Sequence, residues 1–180
     1  GVESCRHPVT MGYTLASGFI FAALIGYLGT SQQIFAELYE QGSLFALWFA
    51  FFASAIAVAM ILNGRFVMKI GMRRITKLAI RLSVATSAIM LVTVYFTQGH
   101  PPLAVLGLYC FMIFFCNGLM FGNYNALALE PMGHIAGMAS SVSGFLYSLM
   151  SFAGGSLIGL AYQGTVTPLV IGFGGFGLLA

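Results

Sequence analysis

The stretch "NGRFVMKIGMRR", residues 63–74, carries four of the chain's seven Lys and Arg side chains. It sits in 180 residues of which 59% are hydrophobic and 6% charged, with 23 glycines and a mean hydropathy of +0.96. An ordinary soluble domain is about 45–50% apolar and about 25% charged. Eleven formal charges cannot solvate the surface of a soluble fold built from this chain, so it reads as an integral membrane protein. The cluster of cations then needs an explanation within a membrane.

Outward from that stretch, apolar runs recur at the length needed to cross a bilayer core, about 20 residues for about 30 Å. Five cover approximately residues 11–31, 43–63, 78–97, 103–124 and 135–160, and a sixth covers 166–180. At 1.5 Å per residue the sixth reaches only about 22 Å, so it reads as truncated. Residues 1–10 form a segment before the first span, and 11–180 a six-helix transmembrane domain. The chain opens without Met and stops inside an apolar run, which reads as a piece of a longer protein. The breaks "AELYEQGS", "TQGHPP" and "AYQGTV" hold turn-forming residues. In "LEPMGH", Glu130 precedes Pro131, where a helix N-terminus favours an anion.

Cytoplasmic loops retain Lys and Arg. Arg65, Lys69, Arg73, Arg74, Lys77 and Arg81 fall between the second and third spans, and Arg6 precedes the first. The opposite loops contain Glu37, Glu40 and His100 but no Lys or Arg. The expected topology places the N-terminus of this segment and the stretch 63–74 in the cytoplasm, with an even number of spans. A nucleic-acid partner is excluded, because such binders need a basic face on a soluble body.

Catalytic constellations are missing. His7, His100 and His134 lie at loops or span ends, so "SVSGF" (Ser141 to Phe145) has no general base within a span. The chain has no Asp, no HExxH and no CxxC, and Cys5, Cys110 and Cys116 form no metal spacing. Neither enzyme activity, nor a cofactor, nor a metal site is expected. Filter motifs of channels are likewise lacking.

Polar groups in a bilayer face a bundle interior or a cavity. In the first span Tyr13, Ser17 and Tyr27 share one helical face; in the fourth, Asn117, Phe121 and Tyr124 do. These six are candidate residues of a cavity for amphipathic organic molecules, with interhelical hydrogen bonding as the alternative. The fifth span carries Gly137, Ser141, Gly144, Ser148, Ser151, Gly155 and Gly159 at helical spacing, a seam that allows close helix packing. No acidic residue lies within a span, so the chain supplies no group for proton coupling.

The stretch 63–74 resembles the loop motif G-x-x-x-D-[RK]-x-G-[RK]-[RK] of the major facilitator superfamily. Gly64 takes the first position, Lys69 the basic one, Gly71 the second glycine and Arg73 the last, with Arg65 and Arg74 adjoining. Met68 stands where the motif has Asp, and Met72 where it has a basic residue. "SQQIFAELYEQGSLFALWFAF", "ALEPMGHIAGMASSVSGFL" and "GLAYQGTVTPL" are similar to the bicyclomycin and chloramphenicol resistance (Bcr/CflA) branch of drug:proton antiporters.

That resemblance implies an all-α integral membrane fold, a six-helix bundle of two inverted three-helix repeats, forming the C-terminal half of a twelve-helix transporter. It implies cavity-lining first and fourth spans, and second and fifth spans at the interface with an N-terminal half, the seam being the docking surface. The implied function is proton-coupled multidrug efflux across the bacterial inner membrane, with small organic molecules and protons as partners of the whole protein. The alternative is a non-transporting six-span scaffold or subunit.

Overall fold

A computed structural model of the protein describes residues 7–180; Arg6, Cys5 and most of the segment 1–10 lie outside the described residues. Among the described residues there are six α-helices and no strand. They are α1 (Pro8–Gln33), α2 (Phe45–Ile70), α3 (Met72–Phe96), α4 (Leu103–Leu129), α5 (Ala136–Leu160) and α6 (Thr167–Leu179). Apolar chain in lipid must satisfy its backbone internally, and helices do so. Helices α1 to α5 have 25–27 residues, roughly 40 Å, which exceeds the hydrocarbon core. The protein is an all-α, multi-pass membrane protein held in a lipid bilayer.

The stretch 63–74 is not an extended loop. Helix α2 continues through Asn63 to Ile70 and α3 begins at Met72, leaving Gly71 alone outside the helices. Lys and Arg are good helix formers whose long stems lie along apolar surface while the charge reaches water, so both helices run past their apolar spans. Gly71 has φ 88° and ψ 143°, a conformation that only glycine adopts without strain, and it reverses the chain in one residue. Glu130 opens a short 3-10 segment, Glu130–Ile135, broken at Met132, and α5 follows it.

Helix α1 packs most extensively on α5 and also meets α4 and α6; α4 packs on α2, α3 and α1; α3 packs on α6. This pairing is unchanged when α1–α2–α3 is exchanged with α4–α5–α6: the first helix of each triplet meets the second and third helices of the other. Three helices per triplet means that the second triplet runs in the opposite sense, as an inverted repeat requires. Within each triplet the second and third helices share little contact.

The triplets approach closely at small residues. A Cβ on Gly118 of α4 would stand 2.8 Å from the Ala59 Cβ and 2.9 Å from the Ile56 carbonyl oxygen of α2. A main core of Tyr27, Phe35, Phe52 and Phe114 fills one half of the bundle, and a smaller cluster around Ile20, Cys116 and Met120 the other. At the end bearing Glu37 and His100, Tyr39 donates to the Pro101 carbonyl at 2.5 Å, and the Val166 N–H donates to Gly99 O at 3.3 Å. These two bonds tie the three inter-helix turns at that end together.

Candidate functional site

Helices α1, α2 and α4 do not close completely on one another. Between them lies a groove of about 110 Å³ with Ile20, Phe21 and Leu24 on one wall, Ile56 and Met60 on another, and Asn117 and Phe121 on the third. Gly118 admits α2 to the backbone of α4, and Gly122, with nothing near its Cβ position, leaves the groove open at one end. Phe21 and Phe121 stand 4.3 Å apart between ring centroids, and Tyr147 of α5 completes the aromatic group at 5.7 and 6.2 Å.

Asn117 supplies the polar function. Its residue is buried, and its Nδ2 has no hydrogen-bond partner among the described residues. An amide donor withheld from water without a partner costs about 1–3 kcal/mol. No Lys, Arg, Asp or Glu lines the groove. The arrangement suits an uncharged apolar molecule, with aromatic surface to stack on Phe21 and Phe121 and one acceptor for Asn117.

The six candidate cavity residues separate into four places. Asn117 and Phe121 line the groove. Tyr13 and Tyr124, with rings 5.6 Å apart, lie at the cationic end beside Arg73, Lys77 and Arg81. Ser17 is buried and donates to the Tyr13 carbonyl at 2.9 Å, the usual fate of a serine within an apolar helix. Tyr27 is fully buried, edge-on to Phe114 and Phe52 at 4.9 and 6.1 Å. One face of a long helix meets different neighbours along its length, because α1 lies against three helices. Phe21 carried no polar signal, and Tyr147 lies on α5, whose small-residue seam drew the sequence reading instead; both escaped it.

The loop-motif residues also divide. Arg73 forms an ion pair with Glu130 at 3.6 Å, joining the start of α3 to the end of α4. Arg65, Lys69 and Arg74 are exposed, as is Met68 at 89%. Gly71 is required by its φ, whereas Gly64 has nothing near its Cβ position. Asn63, the first residue of the stretch, exchanges amide hydrogen bonds with Asn123 at 2.7 and 3.3 Å. This bridge between α2 and α4 had a signal in sequence, two amides within apolar helices, but no spacing to pair them.

Within the described residues, the helix contact of α5 coincides only in part with the seam. The buried stripe on α5 runs through Ala139, Ser143, Ser151, Gly154 and Ile158. Gly154 precedes Gly155 by one residue, so this stripe lies about a quarter turn from the seam. Ser151 and Gly155 belong to both; a Cβ on Gly155 would stand 2.5 Å from Ile25 Cγ2. Ser143 accepts from Thr14 Oγ1 at 3.0 Å. Gly144 is half-buried, and Gly137, Ser141, Ser148 and Gly159 are exposed, on a face that no helix covers among the described residues.

The chain is 28% identical over 160 residues to an uncharacterized MFS-type transporter, YdgK, of Bacillus subtilis, covering 88% of this chain and 39% of that protein. It is 25% identical over 172 residues to a bicyclomycin resistance protein homolog of Haemophilus influenzae, covering 94% of this chain and 42% of that protein. The chain thus spans about two fifths of the length of these relatives, an extent consistent with a C-terminal half. No family model and no solved structure matches it.

Proposed function

We propose that this chain forms the C-terminal half of a secondary transporter that exports small organic molecules by alternating access. The observation that carries the reading is the aromatic groove with its unpartnered Asn117 amide, set in a chain similar along 88–94% of its length to transport and resistance proteins. Substrate would lie on Phe21 and Phe121 and accept a hydrogen bond from Asn117, while Tyr13 and Tyr124 line the approach from the cationic end. The exposed part of the α5 seam, Gly137, Ser141, Ser148 and Gly159, with the half-buried Gly144, would dock an N-terminal six-helix half. Protons would drive export in the whole protein through groups outside this chain, since none of its four acidic residues, Glu3, Glu37, Glu40 and Glu130, lies in the middle of a span. The work is translocation, without a chemical step. The setting is the bacterial inner membrane, with the cationic end in the cytoplasm, in keeping with the retention of Lys and Arg there.

The test is substrate profile in the full-length protein. Asn117→Ala and Phe121→Ala should change which compounds are exported, at unchanged membrane abundance, and Tyr13→Ala and Tyr124→Ala should alter rates. Unchanged export by all four variants would remove the site. Cysteines placed at Lys69 and Gln98 should label from opposite faces of the membrane; labelling from one face would overturn the topology alone.

A further inference from the structure

A second groove opens away from the first, at the cationic end, where α2 and α3 diverge from Gly71. It holds about 180 Å³. Phe66 and Ile70 of α2 form one wall, Ile75 and Leu78 of α3 the other, and Phe115 and Leu119 of α4 the floor. The polar residue reaching it, Asn63, has its amide engaged with Asn123. The groove is therefore apolar throughout its depth.

Its mouth is cationic. Lys69 follows the wall residue Phe66 by three positions, and Arg74 precedes the wall residue Leu78 by four, spacings that put each cation on the groove side of its helix. Both are exposed, and the ion pair formed among the described residues uses Arg73 and Glu130, leaving Lys69 and Arg74 without a carboxylate. The single-residue turn at Gly71 sets Lys69 and Arg74 five positions apart in sequence, one at the end of each helix.

We propose that this groove is a binding site for an anionic phospholipid, with an acyl chain along Phe66, Leu78 and Leu119 and the phosphate held by Lys69 and Arg74. A phosphate takes charge-assisted hydrogen bonds from both side chains. Basic residues beside a membrane helix attract anionic lipid, and a groove between helices gives that attraction a fixed geometry. Charge complementarity selects this occupant. A second copy of the chain in a two-fold dimer centred on this groove would bring one cationic mouth up to the other, and a free inorganic anion has no use for the apolar floor. The site requires insertion in a bilayer, and it rests on the proposed N-terminal half docking without covering the α2–α3 side of the bundle.

The test uses the full-length protein, delipidated and offered equimolar phosphatidylglycerol and phosphatidylcholine, with retained lipid counted by native mass spectrometry. Wild type should retain phosphatidylglycerol over phosphatidylcholine about 30-fold, the ratio expected for two cations at about 1 kcal/mol each. Lys69→Gln with Arg74→Gln should bring that ratio near one, and Lys69→Arg with Arg74→Lys should keep it. Leu78→Trp, from a wall position 69% exposed, should fill the groove and lower retention of both lipids. Equal retention of the two lipids by wild type would overturn the site. So would a preference that survives K69Q/R74Q, or one lost only on neutralising Arg73, Lys77 and Arg81. A dimer carrying no lipid would assign the groove to a second copy instead.

Discussion

Gly155 of α5 faces Gly26 of α1 so closely that a Cβ on Gly155 would stand 3.0 Å from the Gly26 backbone nitrogen. Backbone cannot yield as a flexible side chain can, and the Ile25 side chain is nearer still, at 2.5 Å. Gly155→Ala should lower stability by about 1–3 kcal/mol, as overpacking does, despite the better helix propensity of alanine. Gly29→Ala, at an exposed position of α1 with nothing near its Cβ, should be neutral or stabilising. Thermal unfolding of the two variants in one detergent compares them directly. Equal behaviour would mean that α1 and α5 are not in this contact.

Asn117→Leu keeps approximate volume and removes the unpartnered donor. Stability should rise by about 1–2 kcal/mol, the cost of a buried unsatisfied group, while transport of acceptor-bearing substrates falls. A structural asparagine would behave in the opposite way, losing stability on replacement. Melting temperature and export, measured on the same variant, separate the two roles.

Gly71 occupies φ 88°, ψ 143°, close to a region that is essentially confined to glycine. Gly71→Ala should cost about 1–3 kcal/mol and loosen the α2–α3 turn. Arg73→Gln should cost no more than about 1 kcal/mol, because its pair with Glu130 is solvent-exposed. If the two variants melt alike, the turn is not held by the glycine conformation.

The Tyr39 hydroxyl, bonded to Pro101 O, has its pKa pushed up from 10.0 to about 12, first by burial and then by the neighbouring Cys110. Below pH 10 the phenol is protonated in folded and unfolded chains alike, and its contribution is fully present. Between 10 and about 12 the unfolded chain has released the proton that the folded one still holds, so stability falls as pH rises. Tyr39→Phe should cost about 1 kcal/mol at neutral pH and should lessen the loss above pH 10. A gap between wild type and Y39F that stays constant through that range would remove Tyr39 from the account.

The helices were legible because their signal is local. Length, apolar content and turn chemistry fix where chain can cross a bilayer, and observed helices overlap all six apolar runs. The candidate site was legible in part. Asn117 and Phe121 stand out as an amide and an aromatic on one face, whereas Phe21 and Tyr147 look like any other aromatic in an apolar helix. Ser17 and Tyr27 lie on the expected face of α1, yet that face is packed where they sit.

Sequence by itself determined that this chain lives in a membrane, where its long apolar helices run, and which end gathers the cations. Those properties follow from the cost of placing backbone and charge in hydrocarbon, which each segment incurs on its own. Only the tertiary structure decided which faces meet: the quarter-turn offset of the α5 seam, the reciprocal Asn63–Asn123 bridge, and the one-residue turn at Gly71. In lipid the outer faces are as apolar as the inner ones, so no pattern of hydrophobicity marks the contact. Close packing at Gly118, Gly154 and Gly155 marks it instead, and shape is read only when the partner helix is in place.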